Sequence, residues 1–210
     1  MAELLWTGPD DAAATLLLAH GAGAPMDSPF MALTAEMLGA RGIRVARFEF
    51  AYLAARRSGG KRRPPPKAET LDGEMIAAAR AAVGGAGKLA IGGKSMGGRV
   101  ASHVADSLKK SGEVAGLVCL GYPFHPPNTP ERLRIAHLET LSCPTLIIQG
   151  ERDPFGTRAE VEALKLPPAI RIHWAHDGDH DLGPRGGSGT TRRGNLKAAA
   201  DAVAGFLKAL

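Results

Sequence analysis

Apolar residues along this 210-residue chain gather into short continuous runs, set apart by longer stretches with helical patterning. The runs lie near Thr15–Ala19, Ile43–Phe48, Lys88–Gly92, Val114–Leu120, Thr145–Ile148 and Ile170–Trp174. Runs this short and this apolar read as strands buried on both faces, the habit of a parallel sheet. Helical patterns occupy Ser28–Leu38, Glu69–Ala82, Met96–Lys109, Arg158–Leu164 and Asn195–Leu210. The alternation predicts an α/β fold: a mostly parallel twisted sheet with helices on both faces. Leu4-Leu5-Trp6 is a candidate edge strand. Right-handed crossovers put the C-terminal ends of parallel strands along one edge, so residues far apart in sequence can meet there.

Several of those ends carry chemistry. Gly93-Lys94-Ser95-Met96-Gly97 follows one apolar run and opens a helical one, which is G-x-S-x-G between a strand and a helix. A serine is exposed as a nucleophile on so sharp a turn only if small residues stand two before and two after it. The same turn points the Met96 N–H, at the positive end of the following helix, to where an oxyanion would form. Thr145–Ile148 leads into Gln149-Gly150-Glu151-Arg152-Asp153-Pro154, which makes Asp153 the candidate acid. Ile170–Trp174 runs into Asp177-Gly178-Asp179-His180-Asp181-Leu182, which makes His180 the candidate base. His176 competes for that role, but His180 is preferred because the base is expected from the loop beyond the strand. In mechanism His180 would take the Ser95 proton while Asp153 fixes the imidazole tautomer. Thr15–Ala19 leads into His20-Gly21-Ala22-Gly23-Ala24, where the Ala22 N–H is the expected second oxyanion donor and His20 orients the loop. Gly21 and Gly23 are expected beside the substrate, and Tyr122 and Phe124, after another strand on the same edge, are expected to wall the pocket.

Other readings of these residues are weaker. A serine among glycines also suits an ordinary turn, but the downstream acid and base in Ser, Asp, His order shift the balance. His173, His176, Asp177, Asp179 and His180 follow no closed zinc spacing, so neither a metal nor another cofactor is expected. Gly93-Lys94-Ser95 resembles the end of a phosphate-binding loop, yet the required earlier glycine is replaced by Lys88.

His20–Ala24, Arg47-Phe48-Glu49-Phe50, Gly60–Pro65, Gly93–Gly98, Gly121–Pro126 and Gly178-Asp179-His180 together resemble the α/β-hydrolase superfamily. More narrowly, the chain is similar to its small, cap-less, dienelactone-hydrolase-like branch, from about Leu5 to Leu210. That resemblance implies one hydrolase domain over residues 1–210, without a cap, acting on a small ester, thioester or related acyl compound. Dienelactone hydrolases are expected to use cysteine, and this chain has Ser95, so lactone specificity does not carry over. Some relatives serve as subunits of larger assemblies, which leaves a non-catalytic interaction protein as the alternative.

Composition narrows this further. With 44% hydrophobic residues the length suits one domain with a sizeable core. No apolar run reaches the roughly 18 residues of a membrane span, and the N-terminus lacks a basic start, so cytoplasmic residence is the default expectation. Cys119 and Cys143 read as reduced structural thiols. The net charge of +5 is concentrated in Arg56, Arg57, Lys61, Arg62, Arg63 and Lys67. Glycines and prolines mark that segment as a loop, and with no aromatic residues to stack on bases, nucleic acid is not expected as a partner. Two readings remain open for it: a solvated loop, or a flap that favours substrates bearing a carboxylate or phosphate.

Overall fold

In a computed structural model describing residues 3–57, 59, 64–84 and 87–210, the apolar runs assemble into one seven-stranded sheet. Its strands are β1 (Leu4–Thr7), β2 (Ala14–Ala19), β3 (Arg44–Phe48), β4 (Lys88–Lys94), β5 (Gly116–Leu120), β6 (Thr145–Gly150) and β7 (Ile170–Ala175). They lie in the order β1-β3-β2-β4-β5-β6-β7, and every neighbouring pair is parallel except β1 with β3. From β2 the chain visits β3 on one side and then β4 on the other. A crevice opens beyond the strand ends at such a reversal.

The helices are α1 (Pro29–Gly39), α2 (Ala51–Arg57), α3 (Asp72–Ala82), α4 (Met96–Lys110), α5 (Arg158–Glu162) and α6 (Arg192–Ala209), with a 3-10 turn at Ala68–Leu71. Helices α3 and α4 pack over Leu17, Ile91, Leu117 and Ile147 on one face. Helices α1 and α6 pack over Leu16, Leu18, Val118 and Ile148 on the other. Successive strand residues point to opposite faces. With both faces covered, most positions of the central strands are apolar, and each buried aliphatic side chain contributes about 1.5–3 kcal/mol of transfer free energy.

Three differences from the sequence reading have local causes. Strands β4 and β6 run past their apolar residues to Lys94 and Gly150, because pairing continues through Lys94 with Leu120 and Gly150 with Ala175. Ala51–Arg57 is helical where no helix was expected, its first N–H held by Glu74 Oε2 at 2.7 Å. Arg56 and Arg57 therefore end a helix rather than begin a loop, while Lys61, Arg62 and Arg63 lie outside the described residues. Helix α6 starts at Arg192, where the Thr191 hydroxyl caps it by accepting from the Gly194 N–H at 3.0 Å.

Both thiols are free and buried. Cys119 Sγ sits beneath the start of α4, 3.5 Å from Gly98 O, and burial pushes its pKa up, as it pushes that of Cys143 up to about 11.

A buried polar cluster locks α4 to the segment after β5. Ser102 Oγ donates to Arg99 O at 2.6 Å and the Tyr122 hydroxyl donates to Arg134 O at 3.0 Å, so both oxygens accept from His137 Nε2, at 2.8 and 3.3 Å. His103 meets His137 edge to face and pairs with Asp72 Oδ1 at 3.1 Å. Burial, then repulsion from His103 and Arg99, lowers the His137 pKa from 6.5 to about 4. Because the folded value is the lower one, the unfolded chain binds the extra proton. This contribution is complete above pH 6.5 and is lost as pH falls toward about 4. Urea unfolding of His137→Gln across that range is expected to show a shallower loss of stability than the parent, by at most about 1.4 kcal/mol per pH unit. Parallel curves for the two proteins would assign the acid sensitivity to other groups.

Candidate active site

The end of β4 creates a tight turn. Ser95 takes φ 50° and ψ −115°, a region that costs a non-glycine residue about 1–3 kcal/mol, while its N–H is held by Leu120 O at 2.9 Å. A Cβ on Gly93 would collide with the backbone of Gly97 and Gly98, and one on Gly97 would lie 2.5 Å from His20 O. Only glycine lets β2, the serine turn and α4 approach this closely.

Strand β6 delivers Asp153, which is fully buried. Its Oδ1 accepts from the Phe155 N–H at 2.9 Å, and its Oδ2 accepts from Gln149 Nε2 at 3.1 Å and His180 Nδ1 at 2.8 Å. With Nδ1–H given to the carboxylate, His180 Nε2 is free to accept, and it lies 2.9 Å from Ser95 Oγ. The structure thus brings Ser95, His180 and Asp153 into one hydrogen-bonded chain.

The loop carrying His180 is held from both ends. Asp177 and Leu182 adopt positive φ of 47° and 64°, and Asn195 Nδ2 donates to His176 O and Leu182 O, both at 2.9 Å. Asp177 binds Arg185 at 2.6 Å and Arg152 at 2.8 Å, and the hydrogen bonds from Arg185 hold its carboxyl below the ordinary range. Phe155 tilts against the His180 ring with centroids 4.3 Å apart. His176 points outward to Glu151, 66% exposed.

A second Ser–His contact, Ser102 with His137, has a different character. Ser102 lies within α4, is 2% exposed, and has already given its proton to Arg99 O, so the imidazole is the donor there. An imidazole that donates cannot act as a base toward that oxygen.

His20 is fully buried and neutral in its contacts. Its Nδ1 donates to Gly21 O at 2.6 Å and its Nε2 accepts from the Phe50 N–H at 3.0 Å, while burial lowers its pKa. The glycine loop that follows is held by the Tyr52 hydroxyl, which donates to Ala22 O at 3.0 Å. Neither the Ala22 N–H nor the Met96 N–H donates a hydrogen bond among the described residues, and both residues line a cleft that Ser95 also lines.

Two clefts meet at Ser95. One, of about 470 Å³, lies between Gly21, Gly23, Phe30, Lys94, His180 and Arg192. The other, of about 330 Å³, lies between Pro66, Met96, Arg99, Pro123, Arg134 and Phe155. Lys94 is buried and paired with Asp181 Oδ1 at 3.3 Å. Burial lowers its pKa against the opposing pull of Asp181, Asp153 and Asp179. Asp181 also meets Arg192 at 3.2 Å.

Three expected features are placed differently. Tyr122 and Phe124 do not wall either cleft: both are fully buried and packed edge to face in the core. After the left-handed turn at Gly121, φ 63°, alternate residues face inward and Pro123 between them faces the cleft. Arg57 is no flap residue, since its guanidinium is taken up by Asp27 and Glu49, each at 2.7 Å. Gln149 carries a role the sequence did not reveal. Besides Asp153, its amide holds the Tyr122 N–H at 2.8 Å, Tyr122 O at 3.2 Å and Gly156 O at 3.1 Å.

Comparison with known proteins agrees with this architecture. The family model for the alpha/beta hydrolase domain matches residues 12–208. The chain belongs to that family. A dienelactone hydrolase from Anabaena variabilis superposes with TM-score 0.67 and 21% identity, covering 97% of this chain and 89% of the other. A serine hydrolase without lid from Xanthomonas campestris gives 0.60 and 19%, covering 99% and 92%. A Pyrococcus furiosus esterase gives 0.67 and 15%, covering 100% and 92%. In fold, the chain is of the cap-less, dienelactone-hydrolase-like kind. Among the described residues no helix is long and apolar enough to cross a membrane.

Gln149→Ala strips partners from Asp153, Tyr122 and Gly156 together, and is expected to cost about 1–3 kcal/mol in urea unfolding. Gln149→Glu keeps the size but sets a second carboxylate against Asp153, and is expected to unfold more easily still. Parent-like stability in both would show that the amide is dispensable.

Proposed function

We propose that this chain is a serine hydrolase that cleaves a small ester, thioester or related acyl compound. One observation supports it above all: Ser95 Oγ, His180 and buried Asp153 form an unbroken relay with contacts of 2.9 and 2.8 Å. Ser95 Oγ attacks the acyl carbon as its proton passes to His180 Nε2. Asp153 holds the imidazole in the accepting tautomer and stabilises the imidazolium that forms. The N–H groups of Ala22 and Met96 receive the oxyanion of the tetrahedral intermediate. His180 returns the proton to the departing oxygen or sulfur, leaving an acyl group on Ser95. Water, activated by the same histidine, then releases the acid. No metal or other cofactor enters this sequence of steps.

The rival is an interaction protein that keeps the fold without turnover. A fluorophosphonate probe separates the two, because it reacts with an activated serine. Labelling that disappears in Ser95→Ala is expected, and absence of labelling on folded protein would sink the enzyme. Since Ser95 and His180 act as a unit, replacing either should cost as much as replacing both, on the order of a million-fold in kcat. His176→Ala should leave turnover near the parent level, and a collapse there would move the base to His176.

A further inference from the structure

The serine-hydrolase reading leaves the acyl group undefined, and the two clefts meeting at Ser95 define it. His180 must hand its proton to the leaving group, so the leaving group lies on the side His180 lines, in the 470 Å³ cleft. The acyl chain then lies in the 330 Å³ cleft.

That cleft is unevenly charged. Its described charged residues are Lys67, Glu69, Arg99 and Arg134, three cations against one carboxylate. Glu69 is taken by Arg99 Nη2. Arg99 Nε remains buried without a hydrogen-bond partner. The Arg134 side chain makes no ion pair or hydrogen bond among the described residues, although the residue is half-buried. Burial, then repulsion from Arg99 and Arg132, pushes its pKa below the ordinary arginine range. An anion in the cleft would relieve both.

The backbones that carry the two arginines are also held in place. The Arg134 N–H donates to Phe124 O at 2.7 Å and its carbonyl accepts from the Tyr122 hydroxyl at 3.0 Å. The Arg99 N–H donates to Ser95 O at 3.0 Å, one helical turn from the nucleophile. Pro66, Pro123 and Phe155 add apolar walls to the same cleft. A cleft that joins apolar walls to two guanidinium groups suits a methylene chain ending in a compact oxyanion, which arginine recognises through paired N–H donors.

We infer that Arg134 and Arg99 form an anion subsite for the acyl chain, so that the preferred substrates carry a carboxylate at the end remote from the scissile carbonyl. This rests on the serine-hydrolase reading for turnover but not for binding. Lys94 and Arg57 contribute less, because Lys94 lines the other cleft and Arg57 neither of the two, and Asp181, and Asp27 with Glu49, already answer their charges.

The test compares phenyl hydrogen adipate with phenyl hexanoate, which share leaving group and acyl length and differ in the terminal carboxylate. The parent is expected to favour the adipate in kcat/KM, and Arg134→Gln to lower the adipate-to-hexanoate ratio by about 10- to 100-fold. Arg134→Lys, which keeps the charge but not the fork, should retain part of the ratio, and rising salt should shrink it. Equal ratios in the parent and Arg134→Gln would overturn the inference. Calorimetric binding of both esters to Ser95→Ala, with and without Arg134→Gln, removes the dependence on turnover. Tighter adipate binding that Arg134→Gln abolishes supports the subsite even if the fluorophosphonate fails to label the parent. Equal binding of the two esters overturns the subsite even if labelling succeeds.

Discussion

The serine turn exists because three stretches of backbone approach one another with no side chain between them. At Gly93, Gly97 and the His20 carbonyl there is no room for a methyl group, and the left-handed Ser95 residue is strained. That strain is sustained by sheet pairing on one side, where the Ser95 N–H reaches Leu120 O, and by α4 on the other, where Arg99 closes the first helical bond to Ser95 O. The position of Ser95 is thus fixed by β2, β4, β5 and α4 together. No single loop could move it without unpacking the sheet.

Around this point the protein places polar groups whose hydrogen bonds leave little choice of role. His180 can only accept at Nε2 because Nδ1 is committed to Asp153, and the carboxylate is itself committed to Gln149 and Phe155. His137 can only donate, because Ser102 and Tyr122 spend their protons on backbone carbonyls. Two Ser–His contacts of nearly equal length therefore differ in kind. Direction of donation separates them where distance does not.

Much of this was legible in the sequence because it depends on backbone chemistry. Continuous apolar runs could be strands only if both faces were covered, and the glycines flanking Ser95 could be explained only by a tight turn. What was not legible depends on where side chains point once the chain has folded. Tyr122 and Phe124 looked like cleft walls, but the left-handed turn at Gly121 sends them into the core and leaves Pro123 lining the cleft. Helix α2 has one buried residue, Leu53, and so carries no apolar stripe to announce it. Gln149 at the end of a buried strand gives no sign of which groups its amide will meet. Arg134 comes from an irregular segment whose course depends on tertiary packing. Arg99 did carry a signal, since it stands one helical turn beyond the serine on a helix that begins there.

The thiol of Cys119 lies below the serine turn, against Gly98 O, in a fully buried setting that keeps it protonated. This thiol is therefore a spectator, sealed from solvent by the same packing that holds the Ser95 hydroxyl out. Electrophiles that attack oxygen and sulfur alike would meet just one of these two atoms. Within this neighbourhood, which of the two atoms a reagent meets follows from access, not from their relative intrinsic reactivity.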